Sequence, residues 1–215
     1  MHVMVPRERT RIVPYGLPNI SCVGWPIAFP RPGHAGLGCR ETRASDADGV
    51  LAHFRRMPPA DLRLRFCGTV ADASLRAHVS RIWERTGLVL SAHDGPLWDG
   101  PFHGAGPVRG LAELCLAGTV AELGISVDAS LRRQGVGTWL VRTAAGLLAP
   151  RGVKTIVAYT MAENMGMIGL GRASGARIEN IQGDVEIVFD VERLLRAHVT
   201  RSANAPALAA AAGSA

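Results

Sequence analysis

Lysine is nearly absent from this chain, because Lys154 is the only one among its 24 basic residues. The formal net charge of +6 therefore comes from arginine. The arginines are scattered, and their longest adjacent groups are the pairs Arg55-Arg56 and Arg132-Arg133. A nucleic-acid-binding protein needs its positive charges gathered in a patch or a run. Nucleic acid is therefore not among the expected partners, although a basic surface favours an anionic ligand.

Long apolar runs are also missing, since no stretch approaches the roughly 18 residues that a membrane span requires. The arginines near the N-terminus and the apolar stretch 20–29 superficially resemble a signal sequence, but Pro14, Pro18, Pro26 and Pro30 interrupt it. We therefore predict a cytoplasmic protein without a membrane partner.

Cysteine and histidine show no metal-binding or disulfide pattern. The four cysteines, Cys22, Cys39, Cys67 and Cys115, are widely spaced and contain no C-x-x-C motif, so we predict buried, reduced thiols. The seven histidines are scattered without an H-E-x-x-H motif, so no metal site is expected.

The length of 215 residues, 47% of them hydrophobic, suits one core with extensions. Six of the thirteen prolines fall within the first 32 residues, so residues 1–36 are predicted to be a Pro/Gly-rich extension. Residues 37–192 are predicted to form the folded domain. Residues 193–215 are predicted to hold a helix end and an Ala-rich tail.

The domain shows strand and helix patterns in alternation. Predicted strands cover residues 39–42, 87–92, 108–117, 120–127 and 153–159, with a closing pair across 176–191. Predicted helices cover 46–56, capped by Ser45, then 72–83, a helix that follows the segment 131–137 and ends at Leu148, and 164–173. Hairpins followed by one strand-helix-strand crossover predict a mixed α/β (α+β) fold, a mixed sheet with helices on its faces.

The most informative segment follows the predicted strand that ends at Val127-Asp128. It reads R-R-Q-G-V-G-T and opens a helix on glycines, whose unpaired amides and positive dipole end favour a phosphate. Gly135 and Gly137 permit close approach of a ligand, and Arg132 and Arg133 add positive charge. The alternative is a tight turn without a ligand. The segment is neither a Rossmann fingerprint, for want of a third spaced glycine, nor a Walker loop.

The run Arg132-x-x-Gly135-x-Gly137 resembles the acetyl-CoA pyrophosphate signature of the GNAT superfamily of N-acetyltransferases. Its context agrees, with A-E-L-G-I-S-V-D before it and Ala162-Glu163-Asn164 after it. The stretch P-A-D-L-R-L-R-F more weakly resembles bacterial members that include protein lysine acetyltransferases. The resemblance implies a mostly antiparallel sheet of six to seven strands, a central parallel strand-helix-strand unit and helices on both faces.

The resemblance also implies acetyl-CoA as the cosubstrate and a set of residues that hold it. In this superfamily the strand before the signature splays from its neighbour, which offers backbone groups to the pantetheine and makes the Val127 amide the candidate polariser of the thioester carbonyl. Asn164 is a candidate pantetheine ligand, the alternative being a helix cap. The predicted cofactor-binding residues are Ile125, Ser126, Val127, Arg132, Arg133, Gln134, Gly135, Val136, Gly137, Thr138 and Asn164.

Acetyl transfer needs a neutral amine, and a lysine-like amine has a pKa near 10.4, so a base is valuable. Glu122 is the candidate base, since strand alternation places it on one face beside Gly124 and Ser126, which leave room for a substrate. The alternative is an exposed glutamate in an ion pair. Family members often carry a tyrosine as acid after the fifth strand. Here that position is Gly171, and Tyr159 is the candidate substitute unless it is a buried core residue.

The predicted function is therefore acetyl transfer from acetyl-CoA to a primary amine, either a protein lysine or a small molecule, with no metal. A noncatalytic acyl-CoA-binding or sensing module is the alternative, and an arginine-rich nucleic-acid binder is a third class. The prediction allows a homodimer.

Overall fold

The computed structural model describes residues 37–94 and 106–196. The described strands are β1 (Leu37–Glu41), β2 (Leu88–Asp94), β3 (Val108–Ala117), β4 (Val120–Val127), β5 (Thr155–Met161), β6 (Arg177–Ile181) and β7 (Asp184–Asp190). The described α-helices are α1 (Ala47–Arg56), α2 (Pro59–Phe66), α3 (Asp72–Arg85), α4 (Val136–Leu148) and α5 (Met165–Ala173), and the described residues 191–196 are also helical. Short 3-10 turns lie at Ala44–Asp46, Ala129–Leu131 and Ala149–Arg151.

The seven strands form one sheet in the order β1-β2-β3-β4-β5-β7-β6. Every neighbouring pair is antiparallel except β4 and β5, which run parallel and are joined by α4. The predicted mixed sheet with one central parallel crossover is confirmed.

Helices cover the sheet on two faces, each with its own apolar cluster. On one face α4 and α5 pack on the sheet, with Leu140, Ala144 and Leu148 fully buried. On the other face α1 and α3 pack on it, with Phe54 fully buried. The spacing of Leu75, Val79 and Ile82 places them on one side of α3, and all of them are buried.

Ser45 does not cap the first helix, which corrects the prediction. It lies within the 3-10 turn, and α1 begins at Ala47 without a side-chain cap. The Asp46 carboxylate instead accepts the Arg43 amide at 2.8 Å and pairs with Arg40 at 2.8 Å. The turn is therefore organised by acidic Asp46 rather than by the serine hydroxyl.

Strand β5 begins at Thr155, later than the pattern predicted. The Lys154 and Thr155 amides both donate to the Thr119 carbonyl, at 2.7 and 3.2 Å, so pairing with β4 starts there. Val153 is buried ahead of the strand. Its apolar side chain thus contributes to the core without joining the sheet.

Helix α2 had no predicted secondary structure. It begins on Pro59 and ends where Cys67 adopts a left-handed conformation with φ 54°. None of its residues is fully buried, and only Leu62 and Phe66 pack partly buried against the apolar cluster of α1 and α3.

The cysteine prediction holds in part. Cys39 is buried, which raises the pKa of its thiol to about 12, but Cys67 is exposed, contrary to the prediction. Trp139 is buried in the core, and Trp83 is half-buried with its indole N–H donating to the Thr42 carbonyl. The predicted extension 1–36, Cys22, Trp98 and most of the tail lie outside the described residues. No helix among the described residues is long and apolar enough to cross a membrane.

Candidate active site

Strands β4 and β5 form a fork. They pair only from Val120 to Glu122, opposite Thr155 to Val157, and the later residues of the two strands do not pair. Helix α4 begins at the open end of this fork, after the turn that follows β4. The carboxyl ends of two parallel strands thus diverge towards a helix N-terminus, a place where α/β sheets commonly bind ligands.

Every second peptide group of β4 faces the fork. The pairing with β3 is continuous from Gly110 to Ala117 without a bulge, and the Asp128 amide donates to the Arg109 carbonyl at 2.8 Å. In an antiparallel pair the peptide groups of alternate residues face the partner strand. Those of Ile125 and Val127 therefore face away from β3, towards the gap.

The turn before α4 exposes the first amides of that helix. Gly135 adopts a left-handed conformation with φ 75°, Arg133 does the same with φ 56°, and no side chain caps the helix. The first intrahelical hydrogen bond runs from the Trp139 amide to the Gly135 carbonyl at 3.0 Å, so the preceding amides have no intrahelical acceptor. Arg133 is exposed and Gly137 is half-buried, so the turn is open to solvent. It can receive an anion.

Arg132 points to α2 rather than outward from the turn. Its guanidinium donates to both carboxylate oxygens of Asp61, at 2.9 and 2.7 Å, and to the Val127 carbonyl at 3.2 Å. Its charge is therefore used between the end of β4 and α2. Arg132 and Arg133 are both predicted to lie beside a phosphate. Arg133 takes no part in this ion pair, and its side chain is exposed.

The space predicted beside Glu122 is filled. Glu122 is exposed on the α1 and α3 face, but the Arg65 guanidinium covers Gly124, where a Cβ atom would lie 2.8 Å from Nη1 and closer to Cζ. Ser126, the other small neighbour, is buried against His53. Gly124 therefore serves the close approach of Arg65, which corrects the prediction that it leaves room for a substrate. Any acceptor must approach Glu122 from the closed end of the fork or from solvent.

Arg65 of α2 belongs to a buried cluster of charged side chains that is centred on Glu113 of β3. It donates to Glu113 at 2.7 Å, and His78 lies 2.8 Å from the other Glu113 oxygen. Burial by itself would raise the pKa of Glu113, but the charge of Arg65 and the hydrogen bond from His78 outweigh it and lower the pKa below its usual value. The cluster holds α2 against the sheet beside the fork.

Helix α2 is tied to both arms of the fork. Asp61 and Arg65 hold it on the β4 side through Arg132 and Glu113. Arg63 holds it on the β5 side, where it pairs with Glu163 and contacts the Met161 sulfur at 3.1 Å. Sequence analysis missed this bridge, because its partners lie far apart in the chain.

Tyr159 is 43% exposed, so it is not a buried core residue. Strand alternation places it on the same face as Val157, the partner of Glu122, and beyond the last residue paired with β4. It therefore lies on the Glu122 face, where the fork has opened.

Asn164 caps α5. Its side-chain oxygen accepts the Met167 amide at 3.1 Å, and its side-chain nitrogen donates to the Thr160 hydroxyl at 2.8 Å. The cap alternative is therefore the observed one, and a contact with pantetheine stays a prediction.

Gly171 faces the sheet, where a Cβ atom would lie 2.8 Å from Ile187 Cγ2 and 3.2 Å from Ile178 Cδ1. A tyrosine does not fit there unless these side chains move. The close packing of α5 on β6 and β7 therefore accounts for glycine in place of the family's tyrosine at this position.

The fork is a gap between the unpaired ends of β4 and β5, which α2 bridges through its ion pairs with Arg132 and Glu163. Cavities of about 430 and 300 Å³ lie elsewhere, one beside His93 and Arg56 and the other along α2 at Pro59 and Val70. A long, flexible ligand that lies along a strand edge suits this gap better than an enclosed cavity.

Comparison with known proteins agrees with this geometry. Residues 86–175 match the model of the acetyltransferase (GNAT) family. The GNAT domain of S. lividans PAT shares 18% identity over 71% of this chain and 89% of its own, with a TM-score of 0.56. Spermidine N-acetyltransferase from Vibrio cholerae, solved with CoA and spermine, shares 16% identity over 75% and 99%, with a TM-score of 0.56. PaiA N-acetyltransferase from Thermoplasma acidophilum, solved with coenzyme A, shares 14% over 72% and 98%, with a TM-score of 0.53. No curated protein matches this chain.

The fold and the family match define the class as that of acetyl-CoA-dependent N-acetyltransferases. Residues 86–175, over which the GNAT family model matches, include the fork, the α4 turn and α5.

Proposed function

We propose that the protein transfers acetyl from acetyl-CoA to a primary amine by direct attack at the fork between β4 and β5. The observation that carries this proposal is that the gap between the unpaired ends of β4 and β5 leads to the uncapped first turn of α4. The backbone groups of Ile125 and Val127 face the gap, and the gap ends at the uncapped first turn of α4. A thioester with a long amide-bearing arm and a diphosphate presents complementary groups in that order.

The turn would hold the diphosphate through backbone amides of Gly135, Val136, Gly137 and Thr138, with Arg133 adding charge from the exposed side. The Val127 amide would donate to the thioester carbonyl and stabilise the negative charge that develops on it. Gln134 binds the Ser130 carbonyl through its side chain at 2.6 Å and stabilises the turn. Arg132 would act indirectly, by fixing the Val127 carbonyl.

Glu122 would remove the proton from the attacking amine, directly or through water. The nitrogen forms a bond to the acetyl carbonyl carbon, the carbon–sulfur bond breaks, and the thiolate leaves. A thiol has a pKa near 8.5, so this leaving group needs little assistance near neutral pH. Tyr159 lies on the same face and is the candidate donor of a proton to the sulfur.

The first test is calorimetry with acetyl-CoA, followed by thiol release over a panel of amines. The spermidine N-acetyltransferase structure was solved with spermine, so the panel includes polyamines, lysine-containing peptides and small primary amines. We expect acetyl-CoA binding and turnover with at least one amine. Binding without turnover on any amine would favour the noncatalytic acyl-CoA-binding module, and absence of binding would reject both.

The second test is Glu122→Gln. We expect this variant to lower kcat/KM at pH 7 by about 100-fold, within the range for loss of a general base, and to recover partly at high pH, where more amine is neutral. Affinity for acetyl-CoA should stay unchanged. Asp184→Asn, at an exposed end of β7, is the matched control for loss of one carboxylate. Equal rates for the wild type and Glu122→Gln at pH 7 would remove Glu122 from the mechanism.

A further inference from the structure

A buried histidine connects α1 to the arm of the fork that belongs to β4. The His53 side chain is completely buried, and its Nε2 lies 2.8 Å from the Ser126 hydroxyl. Its Nδ1 lies 3.0 Å from the Asp128 carboxylate and 3.2 Å from the Val108 carbonyl. One ring therefore contacts the start of β3, the end of β4 and the first residue after β4.

The hydrogen-bond partners of the His53 ring determine which of its nitrogens carries a hydrogen. Both groups at Nδ1 are acceptors, so Nδ1 carries a hydrogen. In the neutral ring Nε2 then accepts the Ser126 hydroxyl hydrogen. Burial by itself would raise the pKa of Asp128, but the hydrogen bond from His53 and the charges of Arg56 and Arg109 lower it, so the acceptor is a carboxylate.

The order serine, histidine and aspartate is also that of a nucleophilic triad. Here Ser126 is only 6% exposed and its hydroxyl faces a ring with no exposed surface. The hydroxyl is thus directed at α1 and away from the fork. The geometry therefore favours a role for Ser126 in holding β4 in place over a role as a nucleophile.

The His53 ring holds the part of β4 that does not pair with β5. Beyond Glu122 this strand no longer pairs with β5, so among the described residues its sheet pairing comes from β3 alone. Ser126 lies between Ile125 and Val127, whose peptide groups face the gap. Asp128, which begins the turn towards α4, is held by the same ring and by Arg109 at 3.3 Å.

We propose that His53 is a positioning residue for acetyl-CoA, which acts through Ser126 and Asp128 to fix the Ile125 and Val127 amides at the edge of the fork. This inference rests on the proposed function. Preorganised donors bind and polarise a carbonyl without reorganisation, so loosening them weakens cofactor binding and slows transfer together.

The chain offers a matched control on β2. Ser91 is buried and its hydroxyl lies 2.6 Å from Nε2 of His93, which is also buried. Ser91→Ala and Ser126→Ala each remove one hydroxyl from a buried histidine, and Ser91→Ala also removes the acceptor of the Thr42 hydroxyl at 2.6 Å, but β2 is separated from β4 by β3. A purely structural role predicts the same behaviour for both variants.

The experiment compares the wild type, Ser126→Ala and Ser91→Ala by urea unfolding, calorimetry with acetyl-CoA and amide hydrogen exchange. We expect similar losses of stability, since each variant leaves a buried ring nitrogen without its hydroxyl partner. We expect about a tenfold higher Kd for acetyl-CoA only in Ser126→Ala, with faster exchange at the Ile125 and Val127 amides. Equal Kd values for the two variants would overturn the proposal.

Two further measurements separate the remaining outcomes. Ser126→Thr and Ser126→Val have matched shapes and differ by the hydroxyl, so we expect tighter binding by the threonine variant even where Ser126→Ala does not fold. Equal Kd values for this pair would count against the proposal.

An acetyl ester on Ser126 after incubation with acetyl-CoA alone, detected by mass spectrometry, would replace positioning with covalent catalysis. If the wild type binds no acetyl-CoA, the proposed function fails as well, whereas equal variants with a binding wild type reject the positioning role only.

Discussion

Gly135 and Gly137 serve the α4 turn for different physical reasons. Gly135 precedes the helix in a left-handed conformation, which a residue with a Cβ atom adopts at a cost of about 1 kcal/mol. Gly137 lies within the helix, where a Cβ atom would make ordinary contacts with Leu170 at 3.6 Å and Ile125 at 3.8 Å. The free protein therefore has room for a side chain at position 137. Packing among the described residues does not require glycine at this position.

Gly137→Ala is expected to keep or raise stability, because alanine favours a helix by about 1 kcal/mol over glycine. The same change should weaken acetyl-CoA binding, since the proposed site brings the diphosphate close to the backbone at this position. Thermal unfolding and calorimetry on one preparation measure both effects.

Gly169→Ala is the matched control, because it is also a helical glycine and has no atom within 4 Å of its Cβ position. We expect it to gain stability and bind acetyl-CoA as the wild type does. An unchanged Kd for Gly137→Ala would show that the ligand does not approach this backbone.

At the scale of elements, α2 is held by both ion pairs and partly buried apolar contacts. Leu62 and Phe66 pack against the apolar cluster of α1 and α3, and the charged anchor on the sheet is the buried Glu113 with Arg65 and His78. Because the folded pKa of Glu113 is lowered, its ionised form contributes stability above its unfolded pKa of about 4.3. That contribution is lost as the pH falls through the lower folded pKa.

Glu113→Gln is expected to destabilise the fold by about 3 kcal/mol at pH 7, because Arg65 loses its buried partner. The difference from the wild type should shrink as the pH falls below about 4. Urea unfolding between pH 3 and pH 8 measures this dependence. A difference that stays constant over the whole range would mean that the charge of Glu113 contributes little.

At the scale of the whole molecule, the fork joins elements that only the complete fold brings together. A ligand that spans the β4 edge and the α4 turn stabilises the folded state alone, by about 2.7 kcal/mol at a hundredfold excess over Kd. For a domain of this size we expect a rise in Tm of about 5 to 10 °C with acetyl-CoA. Thermal unfolding monitored by circular dichroism measures it.

S-acetylpantetheine is the control ligand, because it keeps the thioester and the amide arm but lacks the diphosphate. It should raise Tm much less than acetyl-CoA at the same concentration. An equal rise with the two ligands would place the main binding energy away from the α4 turn.

Sequence reasoning located the elements around the site because their signals are local. The bounds predicted for β3 and β4 match those observed, at 108–117 and 120–127, and the predicted end of α4 at Leu148 is also observed. Alternation, turn glycines and helical spacing each act within a few residues. It missed α2 and His53, whose partners lie 48 residues or more away along the chain at Glu113, Asp128 and Ser126.

The sequence by itself determined the mixed sheet, the parallel crossover and a helix that opens on a glycine turn, because those features follow from short-range backbone preferences and side-chain periodicity. Only the tertiary structure decided that Arg132 binds Asp61, that Arg65 fills the space over Gly124 and that His53 holds the end of β4. Charged and polar side chains choose partners by distance and burial, and both depend on how the whole sheet and its helices pack.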